Sequence, residues 1–324
     1  MIINVLLFVV GLVMLIKGGD WFVDGASGIA RRFRLPELLI GATVVSIGTT
    51  LPEVMVSAQG AMAGSGGMAY GNAIGSIICN TSLIAAITIA VKPGKVERRT
   101  LVVPVAFFFA AAAFYMSIAY FCGEFSRTVG IVLLLGFVVY ICTTLWQMKK
   151  NPSTDVADEH EEDEQKESTV AKEVFFLIIG AVLIAIGARL LVDNGTIIAE
   201  ELGVPDTVIA LTFVALGTSL PELVTAITSL MKGHGALSLG NIIGANLFNF
   251  VLVSGVATVI SPFPVPAEST IAGMPASLVL DLPVMLGVML ILTVPALVRQ
   301  KLSRVQGIIL LCIYAAFCTA QFIM

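Results

Sequence analysis

Long runs of apolar residues set the first limit on how this chain folds. Its 324 residues are 57% hydrophobic and only 12% charged, and the mean hydropathy is +0.99. A water-soluble protein could not cover so much apolar surface with so few charged side chains. We therefore expect an integral membrane protein that has the lipid bilayer as a partner and does not bind nucleic acid.

The apolar runs have the length of membrane-spanning helices, which need about 20 residues each. They predict an all-α membrane protein with ten transmembrane helices, over residues 2–23, 35–61, 72–91, 101–121, 128–148, 174–192, 207–231, 239–260, 274–298 and 305–324. The first run lacks a basic preamble and contains Lys17 and Asp20, so we interpret it as a retained helix and not as a cleaved signal peptide.

One segment of the chain occurs twice without a gap, at an offset of 169 residues. In the first copy Pro52 and Glu53 are followed by Gly71-Asn72, Gly75 and Asn80; in the second copy Pro221 and Glu222 are followed by Gly240-Asn241, Gly244 and Asn249. The repeat divides the ten helices into five and five. We expect a first five-helix repeat at 1–148, with the repeated segment at 36–82, and a second at 173–324, with the repeated segment at 205–251.

The two repeats are predicted to have opposite orientations, because an odd number of spans separates each element from its copy. Inverted repeats are typical of secondary transporters, whose substrate site lies between the repeats near the bilayer midplane. The first and sixth helices lack central acids and helix-breaking prolines. We therefore expect them to slide past the other helices as a pair.

Basic residues predict which loops face the cytoplasm. All but three of the 18 fall in one set of alternate loops: Arg31, Arg32, Arg34, Lys92, Lys95, Arg98, Arg99, Lys149, Lys150, Lys166, Lys172, Lys232, Arg299, Lys301 and Arg304. Both termini and the loops around Gly64, Glu124, Glu200 and Glu268 are then outside. We expect a multi-pass protein of the cell membrane, in a prokaryote the inner membrane.

The segment 149–172 between the repeats is strongly acidic, with eight acids between Asp155 and Glu167. A run of like charge repels itself and buries nothing, so we interpret it as a solvated cytoplasmic linker. Calcium sensing by this run remains an alternative, although its spacing lacks the pattern of a calcium-binding loop.

Glu53 and Glu222 are the only acids predicted to lie in mid-membrane. Ionised groups are rare there and usually mark an ion pathway or a proton relay. The structural alternative is a protonated carboxyl group that hydrogen-bonds to a neighbouring helix. We favour an ion site, because both acids recur together with their whole surroundings.

The surroundings supply oxygen ligands. Thr49, Thr50, Thr218 and Ser219 precede the acids, and each proline prevents the carbonyl one turn earlier, near Gly48 or Gly217, from accepting a helical hydrogen bond. Asn80 and Asn249 fall near the middle of the following helices, where an amide binds either a cation or a neighbouring helix. Such a set of oxygens suits calcium or sodium and is poor for soft metals.

These motifs resemble the alpha repeats of the cation/calcium exchanger superfamily, nearest to the prokaryotic sodium/calcium exchangers. The resemblance implies alternating access, with calcium and sodium competing for central sites and no other cofactor. It places the ligands at Ser46, Thr49, Thr50, Glu53, Ser76 and Asn80, and at Ala215, Thr218, Ser219, Glu222, Ala245 and Asn249. At Ser46 and Ala215 the ligand is the backbone carbonyl. Some relatives carry a hydroxyl in place of Ala245 and an acid in place of Asn249.

Several alternatives to sodium/calcium exchange stay open. Within the family these are proton-coupled and potassium-dependent exchange. A passive channel is a further transport alternative, but inverted repeats favour alternating access. An enzyme is not expected: an intramembrane hydrolase would need two carboxyl groups that share a proton over a water molecule, and the neighbouring oxygens suit a cation better.

Overall fold

The computed structural model of the protein describes residues 2–150, 169–202, 217–267 and 269–323. Most of the acidic linker, the first part of the predicted seventh helix, Ala215 and Glu268 lie outside these ranges. The described chain forms ten helices: α1 Ile2–Arg32, α2 Glu37–Met62, α3 Gly66–Val91, α4 Arg98–Phe121, α5 Arg127–Lys150, α6 Val170–Glu201, α7 Leu220–Met231, α8 Gly235–Ile260, α9 Ser277–Arg299 and α10 Arg304–Ile323.

Nine of these helices are long and apolar enough to cross a membrane, and α7 is a shorter apolar helix within the described residues. The predicted all-α membrane architecture of ten helices is confirmed. Helices α8 and α3 are the most buried, whereas α1, α6 and α10 are among the least. The repeated segments therefore form the centre of the protein, and the first helix of each repeat lies at its periphery.

Helices α1 and α6 are longer than predicted, since α1 continues from residue 23 to Arg32 and α6 continues from residue 192 to Glu201. The predicted ends were wrong because apolar length measures the membrane core, whereas helical hydrogen bonding continues beyond it. In α1 the extension is held by packing: Gly25, Ala26 and Ala30 are buried. Arg31 and Arg32 also place positive charge near the carbonyl end of the helix.

The inversion of the repeats is visible in the packing of α1 against α6. Along α1, Gly11 faces Leu191, Gly18 faces Ile184 and Gly25 faces Leu177. Residue numbers rise along one helix and fall along the other, so the helices are antiparallel. The first helices of the two repeats thus run in opposite directions, as the odd number of spans predicts.

Contacts between loops support the same arrangement. Strand β1 (Glu124–Phe125), after α4, pairs with β2 (Phe263–Pro264), after α8. At the other end Lys95, after α3, forms a bridge with Lys301, after α9. The loops after α4 and α9 are equivalent in the two repeats, yet they lie at opposite ends of the protein. A short hairpin of β3 (Thr270–Ile271) and β4 (Met274–Pro275) completes the loop after α8.

Glycines allow α1 and α6 to pack backbone against backbone. Gly11, Gly18 and Gly25 recur every seven residues and therefore share one face of α1. A Cβ atom at Gly180 of α6 would lie 2.5 Å from the Phe22 nitrogen and 2.8 Å from the Gly18 carbonyl oxygen. These are backbone atoms, which cannot rotate away as a side chain does.

Gly180→Ala should force the two helices apart and destabilise the protein by about 1–3 kcal/mol, the usual range for overpacking. The measurement is thermal unfolding in detergent. Gly287→Ala in α9 is the matched control, because no described atom lies within 4 Å of a Cβ there. Equal unfolding temperatures for the two variants would contradict the close-packed interface.

Candidate cation-binding site

Three of the central helices contain a π-helical turn beside a predicted ligand. The turns are Gly41–Val45 in α2, Asn80–Ala85 in α3 and Asn249–Ser254 in α8. The last two are exact equivalents, 169 residues apart. Such turns are rare in proteins, and those that occur are often found at functional sites. These turns were not predicted. Two of them carry a usable signal, a hydroxyl five residues after the first residue of the turn: Ser46 donates to the Gly41 carbonyl and Ser254 to the Asn249 carbonyl.

The two prolines have different effects. Helix α2 continues through Pro52, in agreement with its predicted span of 35–61. The neighbouring hydrogen bonds and the burial of α2 maintain the helix, while the missing N–H still leaves the carbonyl one turn earlier without its donor. In the second repeat Thr218 and Ser219 lie in a turn, and α7 begins at Leu220, directly before Pro221.

Glu53 of α2 and Glu222 of α7 form the centre of the site. Both are 0% exposed, and they are close enough for their charges to interact. Among the described residues, neither carboxyl oxygen of either side chain has a hydrogen-bond partner. The structural alternative requires a bond from each carboxyl group to a neighbouring helix. The Thr49 hydroxyl is close enough to interact with Glu222, but its single proton goes to Asn241. Two buried acids without partners are strongly destabilising in their ionised form unless a cation compensates the charge.

Further oxygens without partners come from repeat-equivalent positions. In the described part of the chain these are the hydroxyls of Thr50 and Ser219 and the amide oxygens of Asn80 and Asn249, all of which are buried. The Asn249 amide nitrogen donates to the Ala245 carbonyl at 3.0 Å, and its oxygen remains available. Carboxylate, hydroxyl and amide oxygens are the ligands that calcium and sodium prefer.

The remaining predicted ligands have other roles or lie near the edge of the site. The Ser46 hydroxyl lies 2.9 Å from the Asn241 carbonyl oxygen as well as 2.8 Å from that of Gly41, so its one proton is shared between the repeats. Thr49 donates to the Asn241 amide oxygen at 3.1 Å. Ser76 and Ala245 are buried in α3 and α8. Ala215 lies outside the described residues.

Two positions that connect the repeats beside the site, Asn72 and Asn241, were not predicted from the sequence. They are repeat equivalents, and each binds a threonine of the other repeat: Thr218 donates to the Asn72 amide oxygen at 3.3 Å, and Thr49 to that of Asn241. The Asn72 amide nitrogen also donates to the Glu53 carbonyl at 3.1 Å. The available signal was the repeated Gly-Asn pair, Gly71-Asn72 and Gly240-Asn241, whose amides were given no role.

Asn241→Ala should destabilise the protein by about 1–3 kcal/mol, because Thr49 loses its buried acceptor. It should also weaken cation binding, since Thr49 precedes Glu53 by one helical turn. Thermal unfolding and calcium binding in detergent measure the two effects. Gln59→Ala, an exposed position in the same helix as Thr49, is the control and should change neither. An Asn241→Ala variant that behaves like this control would exclude the cross-repeat role.

Comparison with known proteins identifies the family. The family model described as sodium/calcium exchanger protein matches residues 3–146 and 172–323. An uncharacterized membrane protein of Methanocaldococcus jannaschii is 34% identical over 97% of this chain and 96% of its own length. A sodium/calcium exchanger of Methanosarcina acetivorans is 31% identical over 99% of both chains.

A solved structure shows the same similarity in three dimensions. The sodium-calcium exchanger NCX_Mj, soaked with sodium and calcium, matches with a TM-score of 0.80 at 33% identity, over 98% of this chain and 97% of its own. The similarity covers both repeats and all ten helices. The chain therefore belongs to the sodium/calcium exchanger family.

Proposed function

We propose that the chain is a secondary active antiporter that exchanges calcium for sodium across the membrane by alternating access. The observation that carries the proposal is the pair of buried acids, Glu53 and Glu222, whose oxygens have no partners among the described residues. They lie between two inverted repeats, where secondary transporters bind their substrates. The relatives named as sodium/calcium exchangers support the same ions.

Calcium takes six to eight oxygen ligands, and the site offers them in three groups. Glu53 and Glu222 supply charge. Neutral side-chain oxygens come from Thr50, Ser219, Asn80, Asn249 and Ser76, and from Thr49 and Thr218, whose hydroxyls donate to asparagines and still have lone pairs. The family resemblance adds the backbone carbonyls of Ser46 and of Ala215, which lies outside the described residues.

The charge of the site sets how many ions it holds. With Asn80 and Asn249 neutral, two carboxylates balance one calcium or two sodium ions, and calcium and sodium therefore compete. A third sodium would leave the loaded site positive. Its movement would then respond to the membrane potential, at about 2.3 kcal/mol per charge per 100 mV.

The helices α1 and α6 are the proposed moving pair. They contact each other along their length through glycines, and Arg32 of α1 binds Glu173 of α6 through two of its nitrogens. These contacts make the pair a unit that is distinct from the central helices α2, α3, α7 and α8. Sliding of the pair would open the site to one side of the membrane and then to the other.

One ion pair distinguishes the two access states, because it has no equivalent in the other repeat. Lys232, in the turn after α7, lies 2.7 Å from Asp24 and 3.6 Å from Asp20 of α1. The equivalent of Lys232 in the first repeat is Ala63, and the equivalents of the two acids, Arg189 and Asp193, pair with each other. When the repeats exchange conformations, the new state has no matching ion pair. Lys232 thus stabilises the described state.

The proposed orientation follows from the basic loops. The ends of the protein that carry Lys95, Lys232 and Lys301 face the cytoplasm, together with the acidic linker. Both termini then lie outside the cell membrane. Lys232 accordingly binds α1 at the cytoplasmic end of the site helices.

The proposal is tested by driving calcium uptake into proteoliposomes with an outward sodium gradient. Uptake that a pH gradient drives equally well would instead assign a calcium/proton exchanger. Replacing potassium on both sides of the membrane by a large organic cation should leave calcium uptake unchanged. Binding of potassium as a further cation would need the acid that some relatives carry in place of Asn249. Uptake that collapses without potassium would assign the potassium-dependent alternative.

Glu53→Gln and Glu222→Gln should each lower sodium-driven calcium uptake by more than about tenfold, because a neutral amide removes charge that a bound calcium ion needs. Gel filtration checks that the variants remain folded. Glu124→Gln, in an exposed outer loop, is the control. Near-normal uptake by either site variant would refute the assignment.

Lys232→Ala should shift the balance between the two access states. Because ion pairs of exposed side chains contribute at most about 1 kcal/mol, we expect a change of up to about fivefold. The measured quantity is the ratio of half-saturating calcium concentrations on the two sides of oriented vesicles. Lys149→Ala, on the same end but away from α1, should leave that ratio unchanged, and an equal ratio in both variants would contradict the asymmetry.

A further inference from the structure

A cavity of about 590 Å³ lies at the end of the protein where α2, α4 and α8 begin. Its lining contains none of the proposed ion ligands. It is bounded instead by the loop after α3, by the first residues of the three helices and by Leu302 in the loop after α9. Its volume falls in the range of ordinary ligand sites.

Three helix N-termini meet at this cavity. The N-cap residues are Pro36 for α2, Glu97 for α4 and His234 for α8, and no side-chain cap bond forms at any of them within the described chain. The first residues of each helix line the cavity, namely Glu37 and Leu38, Arg99 and Thr100, and Gly235 and Ala236. Such helix starts carry amide groups without intrahelical acceptors and partial positive charge, a combination that binds anions.

Positive side chains line the same cavity independently of the helix ends. Lys92 and Lys95 come from the loop after α3, and Arg99 from α4. Two acids are also in the lining, Glu37, which lies 2.7 Å from a ring nitrogen of His234, and Glu97, so three basic side chains stand against two acids. The lining therefore has an excess of positive charge.

Buried polar groups in the cavity wall lack partners as well. Ser238 is 3% exposed, and its hydroxyl has no hydrogen-bond partner in the described ranges. The side-chain oxygen of Gln147, a residue that is 7% exposed, also has no hydrogen-bond partner in these ranges. A ligand that accepts from the serine hydroxyl would satisfy a donor that the protein itself leaves unpaired.

We propose that this cavity binds a phosphate group. A phosphate accepts hydrogen bonds on several sides at once, which matches donors that converge from three helix ends and two lysines. The source is an anionic lipid headgroup or a soluble phosphate compound. By the proposed orientation the cavity faces the cytoplasm, where anionic lipids attract basic segments. A bound phosphate would hold together the starts of α2 and α8, whose later turns carry Glu53 and Asn249.

Binding to the purified, delipidated full chain tests the proposal without any transport measurement. One arm uses phosphatidic acid against phosphatidylcholine, followed by native mass spectrometry. The other uses inorganic phosphate and pyrophosphate, followed by titration calorimetry. Binding of the anionic lipid alone assigns a lipid headgroup, and binding of the soluble anions assigns a soluble phosphate compound. Binding in neither arm overturns the proposal.

Variants test whether binding occurs in this cavity. Lys92→Ala/Lys95→Ala should lower the affinity at least tenfold, whereas Lys149→Ala/Lys150→Ala, basic residues on the same end but outside the lining, should not. Gly94→Glu is a second variant that adds negative charge in the cavity wall, where no described atom lies within 4 Å of a Cβ. It should abolish binding, and Gly94→Ala should preserve it. Affinity that is unchanged in both Lys92→Ala/Lys95→Ala and Gly94→Glu overturns the proposal.

Discussion

The burial of two carboxyl groups in the middle of a membrane protein is the constraint on which the rest of this structure depends. Glu53 and Glu222 are fully buried and have no partners among the described residues, and their ionised forms are unfavourable there unless a cation lies between them. The neighbouring hydroxyl and amide oxygens and the carbonyl that Pro52 leaves without a donor supply further oxygens, and the π-helical turns begin at or before the residues that carry them. The local irregularities of α2, α3 and α8 are therefore part of one site.

The close approach of the repeats follows from the same requirement. Glu53 of α2 and Asn249 of α8 reach one site only if these two helices pack tightly, and a Cβ atom at Gly244 would meet the Ala42 backbone at 2.6 Å. Asn72 and Asn241 then connect the repeats by hydrogen bonds in both directions. Because each asparagine binds a threonine one turn before the opposite acid, the site and the interface between the repeats are held by the same contacts.

The symmetry of the repeats gives two access states of similar structure. The positions at which the repeats differ make these two states unequal. The site is nearly symmetric, whereas the two ends of the protein are not: Lys232 binds α1 at one end, and the equivalent Ala63 cannot do so at the other. The cavity lined by Lys92 and Lys95 likewise occurs at the end that we place in the cytoplasm. Symmetric ligands allow the same ions to bind from both sides, while asymmetric ends make the energies of the two states differ.

The sequence by itself determined the ten helices, the inversion of the repeats and the two acids with their oxygen neighbours. These features depend on apolar length, on an odd number of spans and on an offset of 169 residues, all of which are properties of the chain alone. The tertiary structure decided the continuation of α1 and α6, the π-helical turns, the roles of Asn72 and Asn241 and the cavity at the starts of α2, α4 and α8. Each of these depends on which distant residues come into contact, since the same asparagine or proline takes a different role when its neighbours on other helices change.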